Sequence, residues 1–423
     1  VNANIMSVDV VDNLNVKITL ERGDSEFLGL MYRAGRYVMR ANAQIADSKT
    51  CSSNPIGTGP FMKQSYSADE LVVVKNPNYW RKDAAGGKLP YLDKITFINI
   101  KEASSRAAAV RTGSVDAAFF TTGDATFILD LAKRKSVVKQ YVASKTAWGQ
   151  WMPNVGKAGS PFKFKNCRLA AAHAMDWNAY NKVRLKGLGS YSGSVVGKTS
   201  IMFTTAGTPK YDVALAQDYV AKCNTDLGAA APFKLTLYAD SSSQSQKNIK
   251  FIGDMLAKAD IQLNATNIEE SAVLVSKIYR GGGNLFDFAE GTPAEGDAIG
   301  YIVPFFLSKA FPTDSKNPMA ATAYGKGYNT VIALGGHGDV NMDNLFYAAM
   351  ADTNKTTAKA KWAAATKYLQ ENALAIPAVH GGFWMFTNNS SKLLGVGALK
   401  NPDGSKPSLM ETKGFEWTGI YKG

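Results

Sequence analysis

Histidine and cysteine are scarce in this 423-residue chain, at three residues each. No two of His173, His337 and His380 stand at metal-ligand helical spacing, which excludes a dedicated zinc site of the usual kind. Cys51, Cys167 and Cys223 fit no zinc spacing, and three cysteines cannot all pair within one chain. An exported protein can join two of them, and the sequence does not say which. Cys167 falls in a helical segment and reads as a small buried residue. No G-x-S-x-G nucleophile elbow occurs. Ser192–Ser200 (SGSVVGKTS) misses a P-loop by one residue, because Ser192 stands where the first glycine is required, and no apolar strand precedes it. These absences argue against an enzyme and against any bound cofactor or metal. No apolar run approaches the length of a membrane span. Lys and Arg exceed Asp and Glu by 48 to 35, a net charge of +13. The basic residues are scattered without a dense run or an arginine-rich arm, so the charge reads as ordinary surface and not as a nucleic-acid interface.

What is present is a well-mixed globular composition, 45% hydrophobic and 20% charged, on a chain long enough for two lobes with their own cores. Two linked stretches stand out, Ser53–Phe61 (SNPIGTGPF) and Asn76–Asp93 (NPNYWRKDAAGGKLPYLD), followed by Arg106–Phe120 (RAAAVRTGSVDAAFF). Gly57 and Gly59 allow a tight turn, and Pro60 keeps Gly59 out of helix. Leu71–Lys75 and Ile95–Ile100 read as strands. Ser104 is the expected N-cap of a helix over Arg106–Thr112 that Gly113 closes, and Val115–Phe120 returns as a strand, making a βαβ unit. Each turn glycine taken singly has a purely structural reading.

Further along, Thr146–Asn154 (TAWGQWMPN) reads as a crossover strand and Lys165–Leu185 as one helix. Phe233–Ala239, Ile261–Ile268 and Leu285–Glu290 read as strands, separated by helices over Gln244–Ala259 and Glu270–Arg280. That alternation predicts a largely parallel, helix-covered sheet. Lys355–Ala373 reads as a long amphipathic helix with Trp362, Leu369 and Ala373 inward, and Ile376–Thr387 as a closing strand-rich stretch.

In this order and spacing, the two turn stretches and the segment after them resemble the bacterial extracellular solute-binding proteins of family 5, the oligopeptide-, dipeptide- and nickel-binding proteins of ABC importers. Ser160–Asp176 (SPFKFKNCRLAAAHAMD), Tyr211–Cys223 and Asn372–His380 (NALAIPAVH) continue the likeness. The resemblance implies an α/β, bilobal, periplasmic-binding-protein-like fold (type II, large cluster), with two α/β lobes joined by crossover strands. It implies lobe I over 1–145, lobe II with the crossover strands over 146–385, and a return to lobe I over 386–423. Asn15–Arg22 and Phe27–Tyr37 look like the segment just upstream of the family's GTGP-type turn, so the family's N-terminal part, with any signal peptide or lipid anchor, is expected upstream of Val1.

The implied function is extracytoplasmic capture of a small organic solute, short peptides first, and its delivery to an ABC permease in the cytoplasmic membrane, by a monomer that binds no nucleic acid. The same fold capturing an oligosaccharide or a chelated metal is the alternative, as is a sensing or chaperone module outside transport. Trp148, Gln150, Trp151 and Asn154 lie on the strand that the family sets against its ligand. Alternation aims some of them at the cleft, while both tryptophans also fit an inter-lobe core. Peptide-binding members carry a Trp-x-x-Asp-type acid; the corresponding stretch, Phe286–Phe306, lacks the tryptophan, and Asp297 is the first candidate anchor, with Glu295 and Glu290 behind it. His380 and Trp384, flanking Gly381–Phe383, are expected either in the cleft or in the core.

Overall fold

The computed structural model describes residues 5–25, 27–28, 42–46, 48–50, 53–147, 149–155, 157, 159–229, 233–269, 287–291, 299–306, 339–401, 404, 410–411 and 414–423. In chain order the principal strands are β1 (Ile5–Val10), β2 (Val16–Leu20), β3 (Phe61–Tyr66), β4 (Glu70–Lys75), β5 (Lys94–Ile98), β6 (Ala117–Thr121), β7 (Val138–Ala147), β8 (Gln150–Pro153), β9 (Lys234–Asp240), β10 (Gln262–Glu269), β11 (Phe288–Gly291), β12 (Ile376–Pro377) and β13 (Gly381–Asn388). The principal helices are α1 (Ala103–Thr112), α2 (Ala125–Ala132), α3 (Lys165–Ala174), α4 (Trp177–Val183), α5 (Val213–Leu227), α6 (Ser243–Ala257), α7 (Ile299–Phe306), α8 (Val340–Met350) and α9 (Lys355–Glu371). They fall into two compact units, one of Val1–Arg36 with Lys145–Gly381, the other of Tyr37–Ser144 with Gly382–Gly423.

The first unit is built on a five-stranded sheet of order β10-β9-β11-β8-β12. β10, β9 and β11 run parallel, while β8 is antiparallel to both β11 and β12. Adjacent residues of β8 enter different cores: Trp151 packs with Trp177, Val220 and Leu256, and Met152 with Phe306, Phe346 and Trp362. Opposite-pointing neighbours are what a strand produces, so both faces of the sheet are covered by helices. α6 starts where Ser242 accepts from the Ser245 N–H and buries Ile252 and Leu256, the face its periodicity predicts. α9 buries Trp362 and Leu369 as its spacing predicts, with Ala373 buried just beyond its end.

Lys165–Leu185 is two helices, not one. Met175 is extended, and the Asp176 side chain accepts from the Ala179 N–H at 2.9 Å, so an N-cap restarts the helix there. The Cys167–Cys223 disulfide ties α3 to α5, which settles the pairing that spacing alone left open. The predicted helix over 270–280 lies outside the described residues. The expected lobe I is one unbroken piece over 1–145. In the structure the β1–β2 hairpin is grouped with the first unit instead, through the Ser25 N–H to the Met350 carbonyl at 3.0 Å and the Arg22 guanidinium 4.2 Å from the centre of the Tyr347 ring.

The second unit holds an antiparallel sheet β3-β4-β5 and a second sheet β6-β13-β7. The expected βαβ unit is therefore absent: the strands flanking α1 belong to different sheets. Chain alternation was right, but pairing is decided by partners distant in sequence, and β6 pairs with β13 across more than two hundred residues. The Gly113 cap is as predicted, in the left-handed region at φ 80°, whereas Glu102 and not Ser104 occupies the N-cap. The two turn stretches are joined by Asn76, whose Nδ2 donates to the Gly59 carbonyl at 2.9 Å and whose N–H donates to the Pro60 carbonyl at 2.9 Å. Arg106 ties α1 down through the Phe119 carbonyl (3.1 Å), the Ile100 carbonyl (3.0 Å) and the Asp124 carboxylate (3.0 Å).

Candidate functional site

β8 is the centre of the sequence-derived site, and all four of its residues are buried. It lies between β11 and β12, opposite Gly291–Phe288 on one side and Ile376–Pro377 on the other. The break before it comes at Gly149, where a side chain would collide with the Val379 carbonyl, so close approach of the crossover requires glycine. Trp151 is 3% exposed and its ring stacks on Trp177, centroids 6.2 Å apart at 24°. Trp177 in turn meets Tyr180 edge-on at 5.6 Å. The ring of Trp151 thus belongs to the core of its own unit. Gln150 points to the opposite face; its Nε2 lies 3.6 Å from the Met152 sulfur, and its Oε1 has no hydrogen-bond partner among the described residues.

Asn154 is buried just past β8, and its N–H donates to the Asp287 carbonyl at 2.7 Å. Asp287 is the acid that sequence reasoning overlooked. It is 2% exposed, with Oδ1 2.8 Å from Lys157 Nζ and Oδ2 accepting from the Thr236 N–H at 2.8 Å. A charge removed from water needs such pairing, and this one joins β8, β9 and β11. Its signal was an aspartate between two phenylalanines at the start of a predicted strand, Phe286–Phe288. Asp297 and Trp148, like Glu295 and His337, lie outside the described residues; Glu290 stands opposite Trp151 in the β8–β11 pairing.

His380 is 3% exposed. Its ring Nε2 lies 2.9 Å from Ser192 Oγ and 3.1 Å from the Ser194 carbonyl, and burial holds the imidazole below its ordinary range although that carbonyl acts in the opposite sense. Trp384 belongs to the second unit, 3% exposed on β13 opposite Phe120. Of the seven predicted residues, Gln150, Trp151 and Asn154 are brought together on or next to β8, with His380 on the segment that follows β12.

The P-loop-like stretch makes no phosphate cradle. Ser194, Val195 and Val196 are fully buried, the Val195 N–H donates to Gln370 Oε1 at 3.0 Å, and no helix begins between Ser200 and Val213. His173 bonds through Nδ1 to the Lys210 carbonyl at 2.7 Å and stacks on Tyr219. Buried Arg168, lowered to about 10 by desolvation, donates to the carbonyls of Phe162 and Asn372. Among the described residues no group of three or more His, Cys, Asp or Glu is placed to hold a metal ion.

Comparison with known proteins places these features. The glutathione-binding protein GsiB of Salmonella paratyphi A is 26% identical over 320 residues, 74% of this chain and 60% of that protein, so the chain spans about three-fifths of the length of such curated relatives. The peptide-bound periplasmic binding protein DppA of Helicobacter pylori superposes with a TM-score of 0.76 at 19% identity, covering 99% of this chain and 74% of that one. AgaA from A. tumefaciens R10, solved with agropinic acid, superposes with a TM-score of 0.78 at 17% identity, covering 100% and 78%. These likenesses establish the bilobal periplasmic-binding-protein fold. The model of the bacterial extracellular solute-binding proteins, family 5 (middle region), matches residues 2–312, and the chain belongs to that family.

Proposed function

We propose that this chain is the ligand-capturing portion of an extracytoplasmic solute-binding protein that serves an ABC importer and takes short peptides. The family match over residues 2–312 carries the reading. The names of GsiB and DppA, glutathione- and peptide-binding, support a peptide-like ligand with a free amine and a carboxylate. The buried disulfide suits an oxidising compartment outside the cytoplasm, and no described helix is long and apolar enough to cross a membrane. In this reading the two units are the two lobes, aromatic side chains including Trp148 contact the ligand, and Asp297 meets its ammonium as a charge-assisted pair. A micromolar dissociation constant, adequate for scavenging, requires only about −8 kcal/mol in total. Delivery to a permease, and the monomeric state, belong to the same proposal.

The test is native mass spectrometry of the protein purified from its exported compartment with ligand retained. A ladder of peptide masses supports the reading. A single non-peptide mass overturns the choice of ligand, and a protein that neither retains nor binds any small solute overturns the function.

A further inference from the structure

The chain leaves the first unit between Gly381 and Gly382, directly after His380. There the backbone is held by a two-way bridge: the Ser190 N–H donates to the His380 carbonyl at 2.9 Å, and the His380 N–H to the Ser190 carbonyl at 2.7 Å. The ring reinforces that bridge. A carbonyl oxygen only accepts, so the contact to Ser194 requires the hydrogen on Nε2. Nδ1 is then the unprotonated nitrogen, and it is buried with no hydrogen-bond partner among the described residues. A proton there would place a positive charge and a second N–H where no acceptor receives it.

Among the described residues, the segments bonded to His380 bring no carboxylate to its ring. The loop contributes Tyr191, whose phenol burial pushes up to about 12, so it stays neutral. β8 has no titratable side chain. α4 reaches this corner through Asn181, which bonds Gly189. Of its charged neighbours, Asp176 caps the Ala179 N–H, Arg184 donates to Asn248 and Gln244, and Lys182 is exposed.

We propose that His380 is a pH-sensitive latch: neutral, it docks the crossover on the 190–194 loop, and protonated, it releases it. In the released state the imidazole regains its ordinary value of 6.5, above that of the docked state. Protons therefore favour release, and docking is favoured above pH 6.5 and weakens as pH falls through that value, by up to tenfold per pH unit. No ligand takes part, so the test stands apart from the transport reading.

The experiment is amide hydrogen exchange on the purified chain at pH 7.5 and 5.5, with intrinsic rates divided out. Protection of the Ser190 and His380 amides should fall about five- to tenfold in the wild type and stay constant in His380→Gln, which keeps a donor for the Ser194 carbonyl but does not titrate. Unchanged protection in the wild type, or an equal fall in both proteins, overturns the latch. Should the variant fail to fold, NMR titration of the His380 ring in the wild type decides: a midpoint below 6.5 supports the latch, and one at or above it refutes it.

Discussion

Replacing Cys167 and Cys223 together with Ala tests the tie between α3 and α5. The two residues are 56 apart in sequence, and both are fully buried. Closing a loop of that length removes roughly 14 cal/mol/K from the unfolded chain, which is about 4 kcal/mol at 25 °C. The loss should appear in urea titration as a lower midpoint for the first unit. Two controls accompany it. Thiol counting in denaturant should find one free cysteine, Cys51, in the oxidised wild type and three after reduction. Dithiothreitol should act slowly on the native protein, because neither sulfur reaches solvent until the helices separate. A double variant that loses less than about 1 kcal/mol, or three free thiols in the wild type, would refute the reasoning.

Trp151→Ala should lower the stability of the same unit by about 3–5 kcal/mol, the usual range for removing a buried Trp; a loss under about 1 kcal/mol in urea titration would show that the ring is not core. Asp287→Asn leaves Lys157 facing a neutral group in a largely buried site and should lose about 3 kcal/mol, with Lys157→Met in the same background recovering part of it; additive losses would deny the pairing. Asp297→Asn should weaken peptides with a free amine selectively in calorimetry, and an equal effect on N-acetylated peptides would reject its anchor role.

Much of the fold was legible because it is written locally. The strands around Leu71–Lys75 and Phe233–Ala239, the helices over 244–259 and 355–373 and the Gly113 cap follow from side-chain period and backbone preference. The ordered turn stretches carried the family, and Asn76 shows why they go together: its side chain bonds the Gly59 carbonyl and its backbone N–H the Pro60 carbonyl. What failed depended on remote partners. The βαβ reading assumed that neighbouring strands pair, but β6 takes β13. The single helix over 165–185 missed a cap that competes with continued helix at Asp176.

Period-2 alternation on β8 left two readings open, some side chains aimed at a cleft or both tryptophans in a core. Because both faces of this central strand are covered, alternation instead divides Trp151 and Met152 between two cores. The sequence by itself determined the element types, the family and the absence of catalytic motifs, since these rest on neighbours within a few residues of one another. Tertiary structure alone decided which cysteines join, that Asp287 is the buried acid of the sheet, and that His380 sits dry against Ser192 and Ser194. Those depend on burial and on partners up to two hundred residues away, which no local pattern encodes.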